Sequence, residues 1–488
     1  MRGKSRNAIH HPALSEKLFS PAEQEIFARA SGDRNPMHMD PLAARRTQVG
    51  LPVVHGMHTA IWALDAVASR HSLASSIRSV RVNFHKPIYV GETAVLLLRK
   101  QSGNKLYADV VVESTLVVTI ILTLGENIHP LPFHQLPNPA GEVAAHPNVP
   151  LELSFAEMKN RSGWLVFEPS KVDISSLFPC VARVVGSTQL RALASISRLV
   201  GMVCPGHHSM FKSLNVNFQG GQWPETFHYA VSSADARYGL VTQAISGAGL
   251  TGVVEAFVRT PPCEQAAITE IAKLVKVGEF AGSDALVIGG SRGLGEVAAK
   301  IIAAGGGRVT ITYAVGKMEA ERVAAEIRGF GGSCDLIPYD VLKPASQQLM
   351  ALSNQPRTVY YFATPLIFRR KSSLYTTGIF DHFVSFYVQG FCELCTNLLS
   401  MGQGQLTVFY PSSVYVEKRP ADMTEYAMAK AAGEILCSDL GRFLPQLRIV
   451  IHRLPPVATD QTLSVTPIET ASGLTILLPL VRDVERIV

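Results

Sequence analysis

The sequence predicts two successive α+β domains of one design, followed by an α/β domain built on a doubly wound parallel sheet. Three observations support this fold class. The length of 488 residues suits two to four domains, a six-residue pattern occurs twice in the first half, and short apolar runs alternate with helical stretches in the last part. We therefore expect three domains.

The repeated pattern reads SVRVNF at residues 79–84 and SLNVNF at residues 213–218. Each copy follows a long apolar helix candidate and precedes strands of alternating pattern, which predicts one helix wrapped by a curved antiparallel sheet, present twice. Coincidence between two ordinary strands is the alternative. Proline-rich stretches mark the breaks, so we expect domains at residues 1–130, 151–262 and 284–488, with a linker at 131–150 and a connecting segment at 263–283.

Composition excludes several classes of function. A charged fraction of 17%, an apolar fraction of 47% and a net charge of +6 without a basic block predict a packed enzyme with no nucleic-acid partner. The most apolar stretch, residues 116–124, is about half the length that crosses a bilayer, and it predicts a strand rather than a membrane segment. Seven scattered cysteines and no recognisable leader favour a reducing cytoplasm, with Cys392 and Cys395 as small buried residues.

Residues 33–38 (DRNPMH) contain a candidate acid–base pair. Asn35 precedes Pro36, and this pair forces a turn that can aim Asp33 and His38 at one point. Gly56, at the start of a helix candidate, offers an N–H near the positive end of the helix dipole, where negative charge on an oxygen would be stabilised. Taken alone, Asp33 could be a helix cap and His38 a surface residue.

The segments at residues 27–40 (FARASGDRNPMHMD) and 50–57 (GLPVVHGM) resemble the MaoC-like, R-specific enoyl-CoA hydratase branch of the hotdog fold. The resemblance implies that Asp33 and His38 are catalytic, that Gly56 forms the oxyanion hole and that no metal is used. His55 and His58 are not expected to bind metal, because no carboxylate or cysteine completes a usual ligand set. The second copy has no such motif, and its Cys204–His208 segment follows the helix candidate. We interpret it as a degenerate hotdog that completes a double hotdog and has a structural role, shaping the acyl pocket at most.

A glycine-rich loop of the Rossmann type follows the first strand of the C-terminal domain. Between the strand at 285–288 and the next helix, its glycines allow a tight turn and close approach of a pyrophosphate. The expected cofactor-binding loop residues are Gly289, Gly290, Ser291, Arg292, Gly293, Leu294 and Gly295. The further strands are predicted at residues 309–313, 335–339, 358–363, 406–410 and 448–453.

Charge in this domain favours NADP over NAD. The second strand is followed by Tyr313 to Lys317 without the acid that usually holds the ribose hydroxyls, while Arg292 and Ser291 could bind a 2′-phosphate. Arg292 as a solvated loop residue is the alternative. Asp340 and Val341, after the third strand, are expected to meet the adenine.

Ser413, Tyr426 and Lys430 form the second candidate catalytic set. Tyr426 and Lys430 lie one helical turn apart, and Ser413 is expected just beyond the fifth strand, so the three can converge. With the glycine loop they resemble the short-chain dehydrogenase/reductase family over roughly residues 280–488. The family's Asn-Ala-Gly segment reads Phe362-Ala363-Thr364-Pro365 here, and we expect Ala363, at its alanine position, to lie at the cofactor. The asparagine that the family has in the following helix is replaced near Tyr387. The family's proline-glycine reads Pro455-Pro456, and Ile288 replaces a threonine. These departures place the proton relay in doubt.

Together the two sets predict a bifunctional enzyme. The resemblances imply reduction of a 3-oxoacyl thioester of CoA or an acyl-carrier protein with NADPH, and dehydration of the (R)-3-hydroxyacyl product, or the reverse. Two alternatives remain: one half is only a scaffold or carrier-binding module, or the reductase acts on a sugar or polyketide carbonyl. Both resembled families commonly associate, but the residues leave the oligomeric state open, with a homo-oligomer as one possibility.

Overall fold

The computed structural model describes residues 13–70, 77–125, 147–167, 172–368, 374–402, 404–462 and 470–486. These fall into two compact units, the first ending at Pro261 and the second beginning at Pro262. Most of the predicted linker at 131–150 lies outside the described residues. Across the described parts of the chain, no helix combines the length and apolarity that crossing a membrane requires.

The first unit contains one antiparallel sheet of ten strands in the order β1-β3-β4-β5-β2-β7-β10-β9-β8-β6. The strands are β1 Ala13–Leu18, β2 Ile77–Phe84, β3 Thr93–Ser102, β4 Lys105–Val112, β5 Thr115–Leu124, β6 Ser162–Val166, β7 Ser209–Phe218, β8 Thr226–Asp235, β9 Leu240–Gly247 and β10 Leu250–Val258. The helices are α1 Pro21–Ser31, α2 Pro36–Met39, α3 Pro41–Arg45, α4 Gly56–Arg70, α5 Phe155–Met158, α6 Ile174–Leu177, α7 Pro179–Val185 and α8 Ser187–Arg198, which continues as a π-helical turn at Leu199–Val203.

The sheet has an internal two-fold repeat. Its first five strands, β1-β3-β4-β5-β2, mirror β6-β8-β9-β10-β7 in order, and the halves join where β2 pairs antiparallel with β7. At this junction Arg81 lies opposite Asn215, the residue at the same place in the second copy of the six-residue pattern. The predicted repeat is therefore structural, and the double hotdog is confirmed. The apolar faces of both copies, with α4 and α8, form one continuous core.

The second unit contains a parallel sheet of six strands in the order β13-β12-β11-β14-β15-β16. The strands are β11 Asp284–Ile288, β12 Arg308–Tyr313, β13 Ser333–Pro338, β14 Thr358–Tyr361, β15 Leu406–Ser413 and β16 Leu447–Leu454. The helices are α9 Ile268–Ile271, α10 Gly293–Ala304, α11 Lys317–Gly329, α12 Ala345–Leu349, α13 Thr377–Val384, α14 Gly390–Met401, α15 Tyr415–Lys418, α16 Thr424–Phe443 and α17 Gly473–Glu485, with a π-helical turn at Ser385–Gln389 and a 3₁₀ turn at Asp460–Thr462.

Alternation along β11 explains why helices cover both faces of this sheet. Ala285 and Val287 belong to one hydrophobic cluster, while Leu286 and Ile288 belong to another on the opposite face. The predicted doubly wound α/β fold is confirmed, and its strand order is the Rossmann order. All six predicted strands are present. The prediction that Ser413 lies beyond the fifth strand is wrong, because β15 continues past Tyr410 and ends at Ser413.

Candidate active sites

The turn between α1 and α2 places Asp33 and His38. A capping box between Ser20 and Glu23 begins α1, and Gly32, with a left-handed φ of 77°, ends it. Asn35 then caps α2 by accepting a hydrogen bond from the N–H of Met37 at 3.1 Å, with Pro36 in the first turn of the helix. The turn predicted at Asn35 is present, and the helix cap is Asn35, not Asp33.

The Asp33 carboxylate is buried and hydrogen-bonded. It is 1% exposed, and its Oδ2 accepts a hydrogen bond from the Ser197 hydroxyl at 2.7 Å, while Oδ1 accepts one from the Asn35 N–H at 3.1 Å. Burial raises the pKa of Asp33, whereas His38 and the two hydrogen bonds lower it. The carboxylate is thus held in place with a raised proton affinity, as a general base requires.

His38 lies close to Asp33, and its tautomer is fixed by a backbone carbonyl. Its Nδ1 lies 2.7 Å from the Val53 carbonyl oxygen, and because a carbonyl only accepts, Nδ1 carries the hydrogen and Nε2 has the lone pair. Burial lowers the pKa of His38, although the Asp33 charge raises it, so the neutral imidazole is favoured. Ligand-type atoms of Asp33, His38 and His55 all lie within 4.8 Å of one another.

Asp33, His38 and Gly56 line one cavity of about 150 Å³. Gly56 is the first residue of α4, and the N–H of a first helical residue has no partner within the helix. An acid–base pair and a candidate oxyanion donor therefore face the same space. Most of the other lining is apolar and comes from both copies, including Phe84, Val118, Val200, Met210, Phe211 and Phe257.

The second copy holds the Asp33 turn in a way the sequence did not predict. Besides Ser197, it supplies three carbonyl oxygens to the Asn35 Nδ2: those of Gly201 at 2.8 Å, Gly206 at 3.3 Å and His207 at 3.2 Å. A Cβ on Gly201 would lie 2.3 Å from Asp33 Oδ1, so only glycine fits there without movement. The structural role expected for this copy stays a prediction, and the structure adds that the copy contacts the candidate base directly.

His55 occupies the same cluster but its ring nitrogens are engaged. Nδ1 lies 2.9 Å from Gln24 Oε1 and Nε2 lies 3.1 Å from the Asp33 carbonyl oxygen. The argument that no carboxylate accompanies His55 is wrong, because Asp33 and His38 complete a possible ligand set. The absence of a metal stays a prediction, supported by these hydrogen bonds. A second possible set among the described residues is Glu152, His207 and His208.

In the second unit the loop between β11 and α10 has the close packing that a dinucleotide cradle needs. Gly289 has a φ of 78°, a Cβ on Gly290 would lie 2.7 Å from the Ile311 Cβ, and a Cβ on Gly295 would lie 2.3 Å from the Gly289 carbonyl oxygen. Side chains at these positions would fill the turn and push the loop away from the helix. The loop therefore fits a pyrophosphate at the start of α10.

The remaining predicted cofactor residues lie in the loop itself and after β13 and β14. Arg292 is not simply solvated, because its Nη1 donates to Asp460 Oδ2 at 3.1 Å. Asp340 and Val341 follow β13, and the Asp340 Oδ1 accepts a hydrogen bond from the Leu342 N–H at 3.0 Å. Ala363 follows β14 and lies close to the loop, because a Cβ added to Gly289 would be 3.1 Å from the backbone nitrogen of Ala363.

Ser413, Tyr426 and Lys430 line a second cavity, of about 140 Å³. Burial raises the pKa of Tyr426 to about 12, and a hydrogen bond with Ser413 lowers it. Lys430 donates to the Pro411 carbonyl oxygen at 2.7 Å, and burial lowers its pKa to about 7. The set predicted from the spacing is thus brought together.

The departures from the family pattern also meet in this cavity. Thr364 Oγ1 and the Tyr387 hydroxyl lie 2.5 Å apart, and the Lys430 Nζ lies 3.8 Å from the centre of the Tyr387 ring. Tyr387 is fully buried, in the π-helical turn before α14. The sequence indicated that an asparagine is replaced here, but not that the replacement contacts the lysine.

Comparisons with known proteins match two different families, one in each of the two compact units. Residues 6–120 match the family described as MaoC like domain, and residues 283–471 match short chain dehydrogenase. The (R)-specific enoyl-CoA hydratase of Aeromonas caviae is 32% identical over 120 residues, which cover 25% of this chain and 81% of that protein.

Two further relatives match only one part each. The Peroxisomal multifunctional enzyme type 2 of Drosophila melanogaster is 32% identical over 105 residues, covering 21% of this chain and 18% of that protein. The chloroplastic NADPH-dependent aldehyde reductase 2 of Arabidopsis thaliana is 25% identical over 206 residues, covering 37% of this chain and 74% of that protein. This chain spans 35% of the length of another N-terminal relative, the 3-hydroxyacyl-thioester dehydratase Y of Mycobacterium tuberculosis, so it covers well under two thirds of that relative and of the Drosophila protein. The chain belongs to the MaoC-like dehydratase family through its N-terminal part and to the short-chain dehydrogenase family through its C-terminal part.

Proposed function

We propose that the chain is a bifunctional acyl-thioester enzyme, an enoyl-thioester hydratase and (R)-3-hydroxyacyl-thioester dehydratase in the first unit and an NADPH-dependent 3-oxoacyl-thioester reductase in the second. The observation that carries the proposal is the presence on one chain of two acid–base sets, the buried Asp33 with the half-buried His38 and the buried Tyr426 with Lys430, each lining a mostly apolar cavity. Their reactions share the 3-hydroxyacyl thioester.

In the first cavity a water molecule would be held between the Asp33 carboxylate and the His38 Nε2. As its oxygen bonds to C3 of the enoyl thioester, the water gives a proton to this pair, and C2 receives one proton, so that one water is added overall. The negative charge that develops on the thioester oxygen is stabilised by the Gly56 N–H at the start of α4. Dehydration is the same path reversed.

In the second cavity Ser413 would hold the substrate oxygen while Tyr426 gives it a proton. Because burial raises the pKa of Tyr426 to about 12, the phenol is protonated at neutral pH and can act as the donor. The Lys430 ammonium would stabilise the phenolate that remains. NADPH, when bound, would supply the hydride that reduces the carbonyl carbon.

The finer choices of cofactor and carrier rest on charge. None of the five residues that follow β12 is an Asp or Glu that could hold the ribose hydroxyls of NAD. Arg292, at the start of α10, could instead pair with the 2′-phosphate of NADP. His85 and Lys86, both exposed, line the first cavity, which suits an anionic carrier such as CoA or an acyl-carrier protein. In the described residues none of the seven cysteines forms a disulfide, which supports a reducing compartment such as the cytoplasm. Association into homo-oligomers is part of the same proposal.

The test follows NADPH absorbance and the enoyl-thioester band with acetoacetyl-CoA and crotonyl-CoA, for wild-type, Asp33→Asn and Tyr426→Phe proteins. We expect Asp33→Asn to lose at least ~10²-fold of hydration and Tyr426→Phe a similar factor of reduction, each leaving the other reaction unchanged. Wild-type protein that consumes neither thioester would contradict the proposal.

A second candidate function assigns the C-terminal unit to another carbonyl or to carrier binding alone. The observation in its favour is the Thr364–Tyr387 contact in place of the family's usual residues. NADPH binding by fluorescence titration without oxidation by acetoacetyl-CoA would support a different carbonyl substrate. Failure to bind NADPH at all would support a binding module.

A further inference from the structure

The Lys430 side chain is buried among aromatic rings. Its Nζ lies 3.8 Å from the ring centre of Tyr387, 5.1 Å from that of Tyr410 and 5.9 Å from that of Tyr426. It donates one hydrogen bond, to the Pro411 carbonyl oxygen at 2.7 Å. An ammonium has three N–H donors, and the Pro411 carbonyl oxygen accepts from one of them. Of the three aromatic rings, that of Tyr387 lies closest to the charge.

Tyr387 is fixed in this position at both ends. Its backbone lies in the π-helical turn Ser385–Gln389, which re-aims side chains relative to a regular helix. Its hydroxyl lies 2.5 Å from Thr364 Oγ1, and its carbonyl oxygen accepts a hydrogen bond from the Tyr410 hydroxyl at 3.1 Å. The ring is stacked on Phe383 with an interplanar angle of 8°. These contacts leave the ring little freedom to move away from Lys430.

We propose that Tyr387 is a positioning residue of the reductase site, whose ring holds the Lys430 ammonium beside Tyr426 where the family has an asparagine. The proposal rests on the proposed reductase function. In this arrangement the ammonium is stabilised by the π face of Tyr387, and the Thr364–Tyr387 contact fixes that ring beside the cation.

Charged and titratable groups around Lys430 come from three elements. Burial lowers the pKa of Lys430 to about 7, and the charges of Cys437 and Glu434 raise it. Glu434 is shared with Arg453, whose Nη2 lies 2.6 Å from its Oε2, so its carboxylate is only partly available to the lysine. A cation–π contact favours the charged form as well, and its loss should lower the pKa further. The groups facing Lys430 are Glu434, Cys437 and Tyr426 of α16, Tyr410 of β15 and Tyr387 of the π-helical turn.

The test measures the pKa of Lys430 directly, without catalysis. The full-length protein is labelled with ¹³Cε-lysine, its shift is followed against pH, and the signal is assigned with Lys430→Met. We expect Tyr387→Leu to lower the Lys430 pKa by roughly one unit, and Tyr387→Phe, which keeps the ring, to leave it nearly unchanged. Tyr360→Leu is the matched control, since it deletes a buried tyrosine ring that belongs to the hydrophobic cluster on the other face of the sheet and should leave the Lys430 pKa unchanged.

A second readout is the pH profile of NADPH oxidation. Because only the charged lysine stabilises the phenolate, the alkaline limb should move to lower pH in Tyr387→Leu and stay in place in Tyr387→Phe. A Lys430 pKa that is equal in wild-type and Tyr387→Leu proteins overturns the inference, whatever the activity. If no thioester is reduced while the NMR shift is as expected, the proposed substrate fails and the positioning role stands. Should Tyr387→Leu not fold, Tyr387→Met fills a similar volume without a ring.

Discussion

Asp33 in the first unit and Lys430 in the second are both buried ionisable groups. Burial raises the pKa of Asp33 and lowers the pKa of Lys430, so in each case it favours the neutral form. The neighbours that oppose this shift differ. Asp33 accepts hydrogen bonds from a hydroxyl and an N–H, whereas Lys430 donates to one carbonyl and lies on an aromatic face.

The difference extends to where those neighbours come from. The Asp33 motif lies on the first hotdog copy, but Ser197 and Gly201 that contact its carboxylate lie on the second, 164 and 168 residues away along the chain. Ser413, Tyr426 and Lys430 instead lie on β15 and the α16 that follows it. The first site therefore needs two copies of one fold, and the second needs one sheet. A copy without the Asp33 motif can still supply contacts to the Asp33 carboxylate.

The largest expected effect comes from closing the space between the two copies. In Gly201→Ala the new Cβ would lie 2.3 Å from Asp33 Oδ1, so the carboxylate or the π-helical turn must move. Misplacement by about 1 Å can cost about 10²-fold in rate, and we expect a loss of hydration of that order. NADPH oxidation should be unchanged. Steady-state rates with crotonyl-CoA and acetoacetyl-CoA measure both.

Gly125→Ala is the control for this substitution, because its Cβ would meet only the Arg78 side chain at 3.7 Å, an ordinary contact. It should keep full hydration. If Gly201→Ala hydrates crotonyl-CoA as fast as wild-type protein, the second copy is a scaffold and the comparison drawn above is broken.

A smaller effect is expected from removing one hydrogen bond across the copies. Ser197→Ala takes away the hydroxyl that donates to Asp33 Oδ2 at 2.7 Å, and the pKa of Asp33 should rise, because that bond stabilises the ionised form. The acid limb of the hydration profile should then move to higher pH, with roughly a tenfold loss of kcat/KM, the order expected for a hydrogen bond to a charged group. Profiles of kcat/KM against pH check both.

Ser197→Thr should restore the acid limb, since it keeps the hydroxyl. Ser195→Ala, on the same helix and also buried, serves as the control and should leave the limb in place. A rate loss without a shift of the limb would mean that Ser197 only packs against the site.

Local sequence patterns predicted the features that depend on residues adjacent in the chain, namely turns, loops and strands. The turn at Asn35 follows from proline sterics, the glycine loop from its place between strand and helix, and the six parallel strands from apolar runs. The fifth strand was predicted to end at Tyr410, one residue before Pro411, which lacks an N–H. In the structure Pro411 pairs opposite His452, and the strand continues to Ser413.

Contacts between distant segments could not be predicted in this way. The approach of Ser197 and Gly201 to Asp33 is set by the pairing of β2 with β7, and neither residue is part of a motif. The repeated six-residue pattern was the only sequence signal for that pairing. The Tyr387–Lys430 contact depends on a π-helical turn, for which the sequence offered no recognisable signature.

The smallest expected effect concerns a contact across the second unit. Arg292 donates to Asp460, 168 residues away, so a 2′-phosphate would compete with that carboxylate for the guanidinium. Because the exchange replaces one anion by another, Arg292→Ala should raise the KM for NADPH only about fivefold and leave that for NADH unchanged. In the wild-type protein the Cys263 N–H donates a hydrogen bond to Asp460 Oδ1 at 2.9 Å. Asp460→Asn keeps an oxygen for that hydrogen bond but removes the negative charge that competes with the 2′-phosphate for Arg292. It should lower the KM for NADPH. Were both variants to change NADPH and NADH alike, the Arg292–Asp460 pair would be a structural contact, and the distant contact that matters for chemistry would be confined to the first unit.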